Sequence, residues 1–497
     1  MKRWSFDGRT HARERKRAWP RSLQPTAAAL LVTVALLSTT AASAQPLPSD
    51  LGTRHTGSDW PGFLGPTGDS KSSETGLRAP WPTDGPPVVW TRRVGDGYAI
   101  PSISRGRLFL FDAQAGRMRL VCLGSEDGHE IWSFDYPSDY EDMYGYDNGP
   151  RCCPVIDQNR VYILGPEGML HCLQVVDGEQ LWAVNTSERF HVQQNFFGVG
   201  STPIVAGDLL LVQVGGNTPE SDDAPFTDLV PNGTAIVALD KRSGEVRYAT
   251  GDELASYASP LVTTIGDRRW GLLFARGGLL GFDPTNGHVE FHYPWRARIL
   301  ESVNASNPVV VGDQVFISET YGPGSSLLRV KPGGCEVVWR DGDGHVASAD
   351  PSQRFRHIMQ THWNTSIHHD GYLYGSSGRH SNNAELRCVE LATGKVMWSE
   401  RGMARCSLLY VDGYFVCLGE YGELWLLRPN PEKFDVVSKA VPFTNDEPRG
   451  RSARPEQLLK YPAWAAPILS HGLMYIRGRG TLACFELIPV ADSPVAQ

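Results

Sequence analysis

One pattern recurs eight times along the chain, and it constrains the fold more than any other feature. Its fullest copy is CCPVIDQNRVYILGPEGMLHCLQVVDGEQLW, ending at Trp182. A proline opens an apolar strand. A polar turn, an aromatic-rich strand (Val161-Tyr162-Ile163) and a Gly-containing turn follow. A third strand, a D-G-E turn and a terminal Trp close the unit. Each piece has strand length and is bounded by Gly, Asp or Asn, which predicts four antiparallel strands per unit. The first unit opens at Ile100-Pro101 and closes at Trp132, and the third opens at Thr202-Pro203 with Tyr248 where Trp is expected. The fourth opens at Ser259-Pro260, the fifth runs from Asn307-Pro308 to Trp339, and the sixth ends at Trp398. The seventh is SLLYVDGYFVCLGEYGELWLL, and the eighth stops at Leu487 without a last strand. The missing strand stands at the other end of the chain, where Pro87-Val88-Val89-Trp90 belongs to no preceding unit. Eight openings and one orphan strand predict an all-β fold: an eight-bladed β-propeller of four-stranded antiparallel blades, closed by an N-terminal strand joining the C-terminal blade.

Of the 497 residues, 41% are hydrophobic and 21% charged, an ordinary balance for a chain with a buried core. Residues 1–25 hold eight Lys/Arg against Asp7 and Glu14, and then comes TAAALLVTVALLSTTAASA, ending at Ala42-Ser43-Ala44. A basic region, a short apolar run and an A-x-A site predict an export signal over residues 1–44 and a periplasmic or secreted protein. The predicted organisation continues with a lead-in at 45–86, the propeller at 87–488 and a tail at 489–497. No later segment has the length of a membrane span. Setting the signal aside leaves 39 Lys/Arg against 53 Asp/Glu, a net charge of −14. Such a chain is poorly suited to nucleic acid or anionic membranes. A monomer is expected.

The repeat with its terminal Trp resembles the pyrroloquinoline-quinone (PQQ) type propeller repeat over roughly Pro87 to Leu487. The opening DWPGFLGPTGDSKSSETGL, residues 59–77, looks like the lead-in of secreted bacterial PQQ-like repeat proteins. Those are described as similar to the outer-membrane-protein assembly factor BamB, or loosely as alcohol dehydrogenase-like. The resemblance implies either a quinone-dependent dehydrogenase or a non-catalytic interaction scaffold, and fold alone does not choose.

In a propeller the first strand of each blade lines the channel, so residues just before each opening proline gather near one mouth. They are Tyr98, Arg151 with Cys152 and Cys153, Gly200, Tyr257, Asn304, His362, Trp363, Asn364, Arg405 with Cys406, and Trp464. Aromatics, arginines, amides and a histidine form a rim suited to an anionic, planar or sugar-like ligand. Cys122, Cys172, Cys388 and Cys484 share one site of the third strand, where the third unit has Ala238, so they read as unpaired thiols in a small buried slot. Quinone-dependent alcohol dehydrogenases carry an adjacent cysteine pair against the cofactor, and Cys152-Cys153 falls at a similar place. Neighbouring Cα atoms stand only ~3.8 Å apart, below the usual disulfide range of about 4.4–6.8 Å, so such a bond requires a distorted backbone.

The remaining dehydrogenase signature is missing. The resemblance calls for Ca²⁺ held by a carboxylate and an amide, and for an aspartate base in a Trp-Asp segment, and the chain has no W-D segment. Asp147 and Glu301 read as solvated loop charges. His357, His362, His368, His369 and His380 lack zinc-ligand spacing. Three long insertions, DYPSDYEDMYGYDNG, GNTPESDDAPFTDLVPNG and DGDGHVASADPSQRFRHIMQTHWN, belong with function rather than mere connection. The expected protein is a non-catalytic exported scaffold that binds a partner protein or small ligand in the envelope, with no metal and no cofactor. The alternative is a PQQ- and Ca²⁺-dependent dehydrogenase of an alcohol or sugar, with Cys152-Cys153 over the quinone, Arg151 or Arg405 on its carboxylates and Trp464 beneath.

Overall fold

Why each repeat closes on a Trp becomes clear from the blade's register. In the computed structural model, which describes residues 47–193, 195–342, 357–444 and 456–490, the second unit is an antiparallel sheet of Val155–Asp157, Arg160–Leu164, Met169–Gln174 and Gln180–Asn185. Tyr162, Cys172 and Trp182 stand side by side on its three outer strands. The Tyr and Trp rings meet across the Cys with centroids 5.9 Å apart. The same register sets Phe109, Cys122 and Trp132 in blade 1, and Tyr374, Cys388 and Trp398 in blade 6. All four cysteines of this slot are buried and free.

The Trp also fastens one blade to the next. Trp132 Nε1 donates to the Val175 carbonyl at 3.1 Å, and the indole lies so close to Gly178 that a Cβ there would come within 2.6 Å of it. Gly178 has φ +75°, so the turn needs glycine both for its backbone and for the ring it receives. Trp90 repeats this on Ser125 and Gly128, Trp182 on Lys241 and Gly244, and Trp339 on Leu391 and Gly394.

The described residues form eight such sheets. Val88–Arg93 pairs with Thr481–Glu486, the third strand of blade 8, and Trp90 then docks on blade 1. The ring is therefore closed by the N-terminal strand. Blade 7 departs from the repeat: its fourth strand, Asp435–Ala440, has no Trp, and Lys71–Ser72 adds a fifth strand parallel to Cys406–Val411. Among the described residues helix is confined to Thr186–Phe190 and the 3₁₀ turn Pro219–Ser221. Cys335 lies in the fourth strand of blade 5, Gly334–Arg340. Among the described residues no helix is long and apolar enough to cross a membrane. The predicted signal, residues 1–44, lies outside the described residues.

The lead-in is a strap across one end of the channel. Trp60 exchanges backbone hydrogen bonds with Ile103 in the inner strand of blade 1, and Ile156 of blade 2 donates to the Pro61 carbonyl. Tyr410 of blade 7 donates to the Ser70 carbonyl, and the Glu74 carboxylate accepts from His471 and Gly472 of blade 8. Four inner strands are thus tied by one segment, and Trp60 is buried in the core they share. His471 also meets Asp59 at 3.1 Å, which lifts the imidazole above its ordinary value; against burial, the bonds from His471, the Ser104 hydroxyl and the Arg105 backbone N–H together hold the carboxyl below its own. The raised histidine contributes stability that is full below its unfolded value and lost as pH rises through its folded value. The lowered carboxyl contributes above its unfolded value and loses it on acidification. The latch therefore acts between about pH 4 and 7. With both groups partly solvated, His471→Ala is expected to cost about 1 kcal/mol or less at pH 5.5 and almost nothing at pH 8.5 by urea unfolding. Equal losses at both pH values would rule the latch out.

Candidate functional site

At the end opposite the strap the channel opens into a cup of about 390 Å³. Phe63, Leu64 and Ser70 of the strap also line it, so the lead-in supplies its floor. Each residue just ahead of an inner strand is carried to the wall because the eight inner strands run in the same sense around the channel. Tyr98, Arg151, Gly200, Tyr257, His362, Trp363, Asn364, Arg405 and Trp464 all line the cup. Asn304, Cys152 and Cys153 do not. The Asn304 amide turns inward to the Ala275 and Trp295 carbonyls at 2.7 and 3.1 Å. Cys152 belongs to the core shared by blades 2 and 3, and its thiol reaches the Ser201 carbonyl at 3.3 Å. Cys153 packs in the core around blades 1, 7 and 8. Both thiols are free, and burial holds them protonated, pushing Cys153 up to about 12 and Cys152 well above its ordinary value. Cys406 is likewise a free, buried thiol.

Two of the cup's arginines are already neutralised. Arg405 grips the fully buried Glu420 through Nε at 3.0 Å and through its terminal nitrogen. Trp464 Nε1 donates to the same carboxylate at 2.9 Å. The Arg405 guanidinium then lies over the Trp363 and Trp464 rings, 4.4 and 5.2 Å from their centroids. Glu420 therefore orients three wall residues at once. Arg151 pairs with buried Asp142 and donates to the Gly149 and Asp147 carbonyls at 3.1 Å. Asp142 and Tyr146 both come from the first long insertion, which gives that insertion its role: it holds one arginine and supplies one wall.

Sequence reasoning did not single out Tyr146, Phe197, Tyr321, Arg379 or Tyr461, all of which line the cup. Neither Asp147 nor Glu301 does. Tyr321 and Arg379 come from the turn between second and third strands, the same turn that supplies Glu420 in blade 7. Arg379 stacks on Tyr321 with its guanidinium 4.5 Å from the ring centroid. Beneath them Glu319 is buried, which raises its carboxyl to about 7 against three backbone N–H groups that favour the charge. His362 meets the Tyr321 hydroxyl through Nε2 at 3.0 Å, and burial with Arg405 and Arg379 nearby lowers it to about 3, so it is neutral. A continuous aromatic wall runs from Tyr98 through Trp464 to Trp363, at 4.9 and 4.8 Å between centroids. Met143, Tyr144, Tyr146, Tyr421 and Tyr461 stand exposed about this mouth.

A family profile described as "Outer membrane protein assembly factor BamB" matches residues 116–400, more than half of the chain. The outer membrane protein assembly factor BamB of Shewanella oneidensis is 26% identical over 145 residues, which cover 27% of this chain and 34% of that protein. The match thus spans about a third of this relative's length. The quinohemoprotein alcohol dehydrogenase of Comamonas testosteroni superposes with a TM-score of 0.57 at 12% identity, covering 88% of this chain and 81% of that one. BamB of Moraxella catarrhalis gives a TM-score of 0.47 at 12% identity, covering 81% of this chain and all of the other. At 12% identity the dehydrogenase superposition speaks for the propeller fold alone. By its sequence the chain belongs to the family described as outer membrane protein assembly factor BamB.

Proposed function

We propose that this protein is a non-catalytic binding scaffold of the cell envelope that takes its ligand into the channel cup. The observation that carries this reading is the lining itself, which holds nine aromatic side chains, three arginines, two histidines and not one Asp or Glu. A quinone with Ca²⁺ calls for a carboxylate ligand and an aspartate base at the cup. Behind its wall, Glu420 and Asp142 are buried in ion pairs with Arg405 and Arg151, and Glu319 accepts backbone N–H bonds from Tyr321 and Gly322. Among the described residues no group of three or more His, Cys, Asp or Glu is arranged to hold a metal. The residues present do not fit that pair, and Cys152-Cys153 stands outside the cup. A cup of this size falls in the range of about 300–1,000 Å³ common for small-molecule sites. Its exposed tyrosine-rich rim suits contact with a partner's surface, since tyrosine gives large contact area at low entropic cost. Export rests on the signal-like segment at 1–44 and on the family to which the chain belongs.

Two measurements on the purified protein test this. Addition of PQQ, Ca²⁺ and a panel of alcohols and sugars is expected to give neither saturable quinone absorbance nor dye reduction, and turnover would overturn the reading. The fluorescent aromatic anion 8-anilinonaphthalene-1-sulfonate is expected to bind saturably at one site and to quench emission from Trp363 and Trp464. Absence of such binding removes the cup as a binding site.

A further inference from the structure

Resting on that reading of the cup, we infer that its ligand is an acidic sugar: a ring with hydroxyl donors and one carboxylate or sulfate, seated against the aromatic wall with its anion on Arg379. Three features of the lining specify this chemistry.

The first is charge. Arg151 and Arg405 are each matched by a buried carboxylate, so neither has net charge to offer. Arg379 is different: among the described residues its side chain makes no hydrogen bond or ion pair, and its guanidinium lies over the Tyr321 ring at 4.5 Å, within electrostatic reach of buried Glu319. A planar guanidinium stacked on an aromatic face keeps its N–H edge free, and that edge fits a carboxylate or sulfate in two parallel bonds. The carboxylate closest in chain to this pair, Glu319, does not substitute for the ligand's anion. Its oxygens accept backbone N–H bonds from Tyr321 and Gly322 at 2.7 Å. The chain's acidic balance provides no long-range attraction for anions, so Arg379, the lining arginine with no carboxylate bonded to it among the described residues, is a local device.

The second is unmet hydrogen bonding. Asn364 spends its Nδ2 on the Cys406 carbonyl, and its Oδ1 is buried without a partner. His362 spends Nε2 on Tyr321, and its Nδ1 is buried without a partner. Buried polar atoms of this kind are costly unless a ligand or water completes them. Both residues line the cup. Asn364 Oδ1 requires a donor, and a neutral His362 Nδ1 takes either role. Hydroxyl groups serve both, because each donates and accepts. An ammonium would meet Arg379 with like charge.

The third is shape. The Tyr98–Trp464–Trp363 wall offers a broad apolar surface with no carboxylate in it, suited to the C–H face of a pyranose ring. A plain aromatic acid would also lie against it and reach Arg379, but would leave Asn364 and His362 unmet.

The test is calorimetric titration of the full exported chain with D-glucuronate, D-galacturonate, trigalacturonate, D-glucose and 4-hydroxybenzoate, on the native protein and on Arg379→Gln and Arg379→Lys. Because Arg379 makes no internal bond, R379Q is expected to fold with an unchanged thermal midpoint. The expected result is saturable uronate binding that weakens about tenfold or more in R379Q and is partly restored in R379K. D-glucose is expected to bind weakly and equally to all three. Tighter binding of trigalacturonate than of galacturonate would assign the ligand to a polysaccharide chain end, and the reverse to a free sugar acid; either supports the proposal. Equal affinities for glucose and glucuronate would overturn the acidic assignment. Binding of 4-hydroxybenzoate without any sugar would overturn the sugar assignment while leaving the cup as a binding site. Failure of every compound and of the anilinonaphthalene probe would remove both.

Discussion

Replacing Trp339 with alanine is expected to lower the unfolding free energy by about 3–5 kcal/mol, the range for a large aromatic removed from a packed core. The side chain is only 3% exposed. It meets Phe316 of its own blade at 6.0 Å, donates Nε1 to the Leu391 carbonyl of blade 6 at 2.8 Å, and packs with Ile358, Met359, Leu373 and Val389. Alanine would empty that space and orphan the carbonyl, and Gly394 has no side chain to fill the gap. Trp339→Phe keeps most of the apolar area and loses the hydrogen bond, so its cost should be nearer 1–2 kcal/mol. Urea unfolding of the three proteins under one set of conditions gives the comparison. A loss below about 1 kcal/mol for Trp339→Ala would show that blade docking does not depend on the terminal Trp. The repetition of this contact at Trp90, Trp132, Trp182 and Trp398 gives the result its weight, because one chemical device holds most of the ring together.

The same repetition explains what the sequence made legible. A Trp, a glycine turn and a Cys slot at a fixed spacing survive inspection because the same packing recurs from blade to blade, so the blade count and the closing strand at Val88–Arg93 could be read directly. Blade 7 shows the limit. Its last strand, Asp435–Ala440, carries no Trp and gave no signal; the lead-in's Trp81, bonded through its backbone N–H to Ser438, covers that sheet instead. The cup was partly legible for a geometric reason. Residues at one offset before each inner strand reach one mouth, which is why nine of the thirteen candidates line it. Side-chain direction then decides the rest. Arg151 points to the mouth while Cys152, its neighbour, points into the core between blades. Asn304 was misplaced because nothing local announces the Ala275 and Trp295 carbonyls that draw its amide inward. Arg379 and Glu420 went unnoticed because a charged residue in a Gly-containing turn is ordinarily solvated. Only the closed ring buries these turns beneath the mouth.

Glu420→Gln is the substitution with the widest expected consequence for the cup. The carboxylate has no solvent exposure, and it accepts from Arg405 Nε and terminal nitrogen, from the Arg405 backbone N–H at 3.3 Å and from Trp464 Nε1. Glutamine has the same volume, so packing is preserved and the change is one of charge and donor pattern. It would leave the Arg405 guanidinium, 13% exposed, without a counter-ion. It would also present an NH₂ group where two of these four donors now point. Removing one partner of a buried ion pair costs about 3–5 kcal/mol, because the other charge stays desolvated. The exposed pair Arg329–Asp313 is a control, and Asp313→Asn there should cost less than about 1 kcal/mol. The double variant Glu420→Gln, Arg405→Met separates the two causes. If the penalty is the stranded charge, the double variant regains most of the lost stability. It also frees Trp464 and Trp363 from the guanidinium that fixes their planes, so anilinonaphthalene binding should stay weak although the fold is restored. Recovery of stability and binding together would mean that the ion pair has no part in shaping the wall. No recovery of either would place the cost in the Trp464 hydrogen bond instead.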